Sequence, residues 1–245
     1  MTGAVYDGPV TVAAVILCPS VERALADTAG RTAVRRMVES AWAGGATPIV
    51  VVAPDGDGRV ATALTGSPAI LAEPAPQSGG PLAQIARGIR VAADAVAETD
   101  AALVWPGRMV WVDAETVTSL IEAHGRDPYR LLRPAYGGQP GLPVLVPVEL
   151  AGHLASLPPG SPADDVLIDV STNGLPSRTI ELGDPGVVHD LATAIDDLPR
   201  FHGPPEPVAG PPPEWGAAAA DTADEGPLEG PALAPYPQAA DPEGD

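Results

Sequence analysis

The chain reads as short apolar runs alternating with stretches of helical spacing. Val10–Ile16 is almost wholly apolar and stops at Leu17-Cys18-Pro19, the pattern of a strand in a sheet covered on both faces. A loop is expected over Pro19–Ala29. A helix should start near Gly30, with Ala33, Val34, Met37, Val38 and Ala41 on one face, and end at Gly44-Gly45. Thr47–Ala53 predicts a second buried strand, Pro54–Gly58 a turn, Arg59–Leu64 a short helix and Ala69–Ala72 a brief strand. Glu73–Gly80 leads into a long helix over Pro81–Ala97, and Ala101–Trp105 is the next strand. Asp113 is placed to cap a helix over Ala114–His124. Strands are expected at Tyr129–Pro134, Leu142–Val146, Val166–Val170 and Arg178–Leu182, the last two around an Asn173-Gly174 turn. Helices are expected at Val148–Leu157 and Leu191–Leu198. This alternation predicts a three-layer α/β/α domain with a mainly parallel sheet.

Composition changes the picture at the end of the chain. Residues 203–245 hold 11 prolines, 9 acidic residues and neither Lys nor Arg. Such a segment buries too little apolar area to offset its ordering entropy, so a disordered tail is expected, with Trp215 and Tyr236 as its anchors for any protein partner. Residues 1–9 are expected to be a lead-in, leaving 10–202 as the folded domain. Removing the tail's nine acids from the formal charge of −19 leaves −10 for residues 1–202. That balance argues against nucleic-acid binding, which needs a basic footprint. All 13 basic residues are arginine, so any phosphate contact by a basic side chain must be a guanidinium fork. The lone cysteine, Cys18, excludes an internal disulfide and is expected to be a core residue. No leader or membrane span is recognisable, and a cytoplasmic protein is expected.

In open α/β sheets ligands bind beyond the carboxyl ends of the strands. Attention therefore falls on the loops after Leu17, around Gly79-Gly80 and after Trp105. Ser20 and Arg23 are the side chains of the first loop suited to an anion. Gly79 and Gly80 would let a planar ligand approach the backbone. Arg108 follows the third strand end.

These segments carry a resemblance. VAAVIL and TAGRTAVRRMVESAWAGGA resemble the flanks of the first motif of the MobA-like nucleotidyltransferases, which include the molybdenum cofactor cytidylyl- and guanylyltransferases. QSGGPLAQIARGI is similar to their G-x-G-P-L-A-x-I-x-x-G-L, VWPGRMVWVDAETV to V-L-x-G-D-x-P-x-V-x-x-E-T-V, and RPAYGGQPGLPVLV to R-P-x-Y-x-G-x-x-G-H-P-V-L-F. The resemblance implies a nucleotide-diphospho-sugar-transferase-like fold, Rossmann-like and of the GT-A type. It also implies a nucleoside triphosphate substrate (CTP or GTP), Mg²⁺ and a phosphorylated acceptor such as molybdopterin. Leu17, Ser20, Arg23, Gly79 and Gly80 would hold the nucleotide, and Tyr136, Gly141 and Pro143 would lie on the acceptor side.

The departures are chemical. The loop after Leu17 is short and has no glycine, and Arg23 stands where the family has its phosphate-binding lysine. Arg108 stands where the family has its metal-binding Asp, and Leu142 stands for the acceptor-side His. In DLATAIDDL, which corresponds to the family's D-I-D-T-P-E-D-L, Asp190 is kept and Ala192 takes the place of the second Asp. A guanidinium cannot ligate Mg²⁺, which demands oxygen ligands, so the candidate replacement ligands for Mg²⁺ are Asp190 and Asp113, the second more simply a helix cap. Two readings follow. One is a transferase in which Arg23 and Arg108 carry catalysis; the other is a non-catalytic nucleotide-binding regulator or scaffold. Asp55-Gly56-Asp57 matches the metal motif of a glycosyltransferase only as a turn.

Overall fold

The fold is built outward from β1 (Val12–Leu17), whose first five residues are fully buried. In the computed structural model residues 10–155, 167 and 175–203 are described, and all belong to one compact unit, Met1–Pro205. Expectations for residues 1–9, for the strand at 166–170 apart from Leu167, for the turn at 173–174 and for the tail beyond residue 203 lie outside the described residues.

β1 pairs in parallel with β2 (Ile49–Val52) on one side and β4 (Ala101–Pro106) on the other, and β3 (Ala69–Ala72) pairs in parallel with β2. Beyond β4 comes β7 (Val144–Pro147), running antiparallel, then β5 (Leu131–Tyr136), antiparallel to β7 and so aligned with the first four strands. The two-residue β6 (Gln139–Pro140) and β8 (Ser177–Glu181) both pair with β5. Among the described residues the order is β3-β2-β1-β4-β7-β5-β6, with β8 also on β5. The expected mainly parallel α/β sheet is present.

Both faces of the sheet are covered. α2 (Ala33–Ala43) packs against β1, β2 and α5 (Ala114–Arg126); α4 (Gly80–Ala95) packs against β1, β2 and α6 (Val148–Ala155). Two short helices, α1 (Val21–Ala24) and α3 (Arg59–Leu64), complete the β1 and β2 connections. No helix among the described residues is long and apolar enough to cross a membrane.

Four expectations need correction. The first loop contains α1, because Ser20 accepts the Arg23 N–H (3.2 Å) and supplies an N-cap. α2 starts at Ala33 rather than near Gly30, because residues 27–32 form a turn in which the Asp27 carboxylate accepts the Gly30 N–H and Thr28 bonds twice to the Arg31 carbonyl. β7 starts at Val144 rather than Leu142, because the Leu142 amide is spent on the Val187 carbonyl (2.9 Å) and the Leu142–Pro143 bond is cis. The helix expected over Leu191–Leu198 does not form: Ala194 is extended (φ −66°, ψ 149°) in the middle of it, and only Ile195–Asp197 makes a 3₁₀ turn.

The contact between α4 and β1 depends on Gly88. A Cβ there would stand 2.2 Å from Val15 Cγ1, and Val15 is fully buried. Gly88→Ala is expected to destabilise the protein by about 1–3 kcal/mol through overpacking, lowering Tm by about 2–4 °C per kcal/mol for a chain of this size. Adding Val15→Ala should recover part of that loss; thermal unfolding of the two variants checks both.

Candidate functional site

The parallel strands end level with one another. Leu17 stands opposite Val52 on one side and Pro106 on the other, and Val52 stands opposite Ala72. The loops that follow therefore emerge side by side, as expected for a ligand site at the carboxyl edge of an α/β sheet. They enclose a cleft of about 510 Å³, within the usual size range for small-molecule sites.

Each wall has a local cause. The Gly107 N–H donates to the Leu17 carbonyl (2.8 Å), and a Cβ on Gly107 would stand 2.8 Å from both Leu17 O and Cys18 Sγ. Glycine is thus what lets the loop after β4 lie directly on the loop after β1. On the opposite wall Gln84 of α4 forms a cyclic amide pair with Ala75: it accepts the Ala75 N–H (2.7 Å) and donates to the Ala75 carbonyl (2.8 Å). Gly80 turns the chain into α4 at φ +66°, ψ −171°, a conformation open essentially to glycine alone.

The cationic side chains lining the cleft, among the described residues, are Arg23 and Arg108; no carboxylate lines it. Beside the cleft, Arg108 Nη1 lies 3.9 Å from the Asp190 carboxylate, with both side chains about one-third exposed. The segment carrying Asp190 is held from three sides. Its Leu191 amide donates to the Arg108 carbonyl. The Trp111 indole N–H is shared between the carbonyls of Asp190 (3.1 Å) and Thr193 (3.0 Å), while the Arg36 guanidinium lies 5.1 Å above the Trp111 ring and bonds Thr28. Upstream, Asp184 is buried to 2% exposure and ties the segment to the start of α5. Its carboxylate accepts the Asp113 N–H (2.9 Å), the Thr116 hydroxyl (2.7 Å) and the Gly186 N–H (2.8 Å).

Desolvation pushes the Asp184 carboxyl above the usual aspartate range, outweighing the three hydrogen bonds that favour its ionised form. Burial pushes the Cys18 thiol up to about 12, as expected for an inert core cysteine.

Mg²⁺ demands hard oxygen ligands, and no carboxylate among the described residues lines the cleft, so the described lining does not fit a divalent cation. Among the described residues no group of three His, Cys, Asp or Glu side chains could hold a metal. A guanidinium faces Asp190, the one carboxylate left from the sequence pattern.

Of the residues singled out from sequence, Leu17, Arg23, Gly80 and Arg108 line the cleft. Ser20 and Gly79 do not; Ser20 caps α1, and Gly79 precedes α4. Asp190 is not in the cleft lining and lies 3.9 Å from Arg108. Tyr136, Gly141 and Pro143 also lie apart from the cleft lining. Gly141 and Pro143 are buried, and a Cβ on Gly141 would meet the Val187 carbonyl at 2.3 Å, so this segment is closed against the 185–187 turn. Asp113 caps α5 through the Glu115 N–H (2.9 Å), as expected. His124 sits in the last turn of α5 and is buried. Sequence reasoning missed Gln84, Trp111, Arg36 and Asp184. Gln84, Trp111 and Arg36 fall inside quoted motifs, but none of the four is signalled by periodicity, because their partners lie far along the chain or on backbone atoms.

The model of the MobA-like NTP transferase domain family matches residues 20–171, which is more than half of the chain. Solved structures agree in fold. The Rv0371c protein of Mycobacterium tuberculosis H37Rv, in complex with manganese, superposes with a TM-score of 0.56 at 17% identity, over 71% of this chain and 89% of that one. A nucleotidyl transferase from Methanothermobacter thermautotrophicus gives 0.57 at 18%, over 70% and 87%. The 2-C-methyl-D-erythritol 4-phosphate cytidylyltransferase of Thermus thermophilus gives 0.56 at 18%, over 77% and 95%. Among curated proteins no relative matches in sequence.

Asp184 supplies a pH test of how the site is anchored. Its folded pKa is raised, so its contribution to stability is full below the unfolded value of about 3.9 and is lost as pH rises through the folded value. Asp184→Asn does not titrate. The stability of the wild type relative to this variant should therefore fall across that window, as read by urea unfolding at a series of pH values.

Proposed function

The chain belongs to the MobA-like NTP transferase domain family, and from that premise we propose that its cleft binds a nucleotide through arginine, with Mg²⁺-dependent nucleotidyl transfer weakened or lost. The observation that carries this reading is the Arg108–Asp190 pair at the edge of the cleft. Relatives of this fold are named for nucleotidyl transfer, one for cytidylyl transfer and one for a manganese complex. An active enzyme of this kind would take CTP or GTP and pass the nucleotide to a phosphorylated acceptor such as molybdopterin. Divalent cations serve such chemistry by neutralising the charge on the reacting phosphates. This chain offers guanidinium groups for that task. A fork of N–H donors grips phosphate oxygens in two parallel bonds, so Arg108 and Arg23 bind and orient the phosphate end.

Retained binding without transfer, as in a nucleotide-responsive regulator, is favoured by the closed acceptor side. Gly141 is buried against the Val187 carbonyl, and Pro143 is buried as well. The C-terminal tail is proposed as a separate, solubilising segment.

Calorimetric titration of the full chain with CTP, GTP, ATP and UTP tests the reading. One nucleotide should bind, with an affinity that Mg²⁺ does not raise. Arg108→Ala should weaken it by roughly 10- to 150-fold, the equivalent of a charge-assisted hydrogen bond worth about 1.5–3 kcal/mol. Binding that strengthens sharply with Mg²⁺, together with pyrophosphate release, would overturn it.

A further inference from the structure

We propose that the ligand of this cleft is a nucleoside monophosphate rather than a triphosphate; this rests on the nucleotide reading above and narrows it. The inference comes from charge matching. Among the described lining residues the positive charge is supplied by Arg23 and Arg108, and Asp190 lies 3.9 Å from the second of these. Among the described residues the site thus offers two positive charges, partly offset by a neighbouring carboxylate, and its lining holds no carboxylate for a divalent cation. A phosphate monoester carries about −1.5 to −2 at pH 7, which such a site balances. A triphosphate chain adds further charges that are ordinarily neutralised by bound metal. Here those charges would stand in the field of a domain whose residues 1–202 carry −10, and the surrounding potential would oppose them.

The rest of the lining fits the other half of a mononucleotide. Leu17, Val52, Pro54, Pro74, Pro81 and Pro106 give the cleft an apolar wall, suited to the face of a planar base. The cyclic pair between Gln84 and Ala75 holds one side of that wall in place and consumes both Ala75 backbone groups. The cleft of about 510 Å³ is larger than a mononucleotide requires, so size does not force the choice; charge does.

The test is calorimetry on the full chain in EDTA, comparing the mono-, di- and triphosphates of cytidine and guanosine, with the free nucleosides as controls. For one base the monophosphate should bind at least tenfold more tightly than the triphosphate. Arg23→Gln and Arg108→Gln, each checked for native circular dichroism, should each weaken the monophosphate at least fivefold and leave the nucleoside unchanged. A triphosphate that binds in EDTA as tightly as its monophosphate, or more so, would overturn this inference and leave the nucleotide reading standing. Failure of every nucleotide to bind would overturn both.

Discussion

A single backbone hydrogen bond, from the Gly107 N–H to the Leu17 carbonyl, joins the ends of the two central strands of this protein. It forms because β1 and β4 run in register to their last residues, Leu17 opposite Pro106, and because residue 107 has no side chain to collide with Cys18. With β2 also level at Val52, three loops leave the sheet at one height. Their spacing is then fixed by strand pairing rather than by the loops themselves. A short, glycine-free first loop can still form a wall of the cleft because the sheet has already placed both of its ends.

On this frame the proposed electrostatics differ from the metal-based pattern that the family resemblance implies. A chain without lysine, with arginine at the two positions where the sequence pattern calls for a lysine and a metal-binding aspartate, has exchanged point charges for planar forks. The exchange is supported from behind. Trp111 holds the carbonyls of Asp190 and Thr193, Arg36 stacks over Trp111, and Asp184 anchors the upstream end of the same segment to α5. Asp190 is therefore delivered to Arg108 by a set of contacts spread over α2, the loop after β4 and the 184–193 segment.

Much of the fold was legible because its signals are local. The two-faced apolar runs at Val12–Leu17 and Ile49–Val52, the helical spacing of α2 and α4, the Asp113 cap and the terminal Gly44-Gly45 all follow from rules acting over a few residues. The convergence of the three loops was legible as well, since strand order in such sheets dictates it. The failures are non-local or competitive. Leu191–Leu198 has helical composition, yet Ala194 is extended and only a 3₁₀ turn follows it. Less legible were the partners of the site residues: Ser20 caps α1, and Gly141 lies against the Val187 carbonyl. For both, the partner is a backbone atom that no residue pattern reveals.

The central claim is that guanidinium has replaced divalent cation at this site. Titration of the full chain with Mn²⁺, followed by electron paramagnetic resonance in the presence of a saturating mononucleotide, tests it most directly. The account predicts that Mn²⁺ keeps the six-line spectrum of the free ion up to millimolar concentration, and that Arg108→Asp acquires a bound, broadened signal. Stoichiometric Mn²⁺ binding by the wild-type protein, lost when Asp190 is changed to Asn, would contradict it.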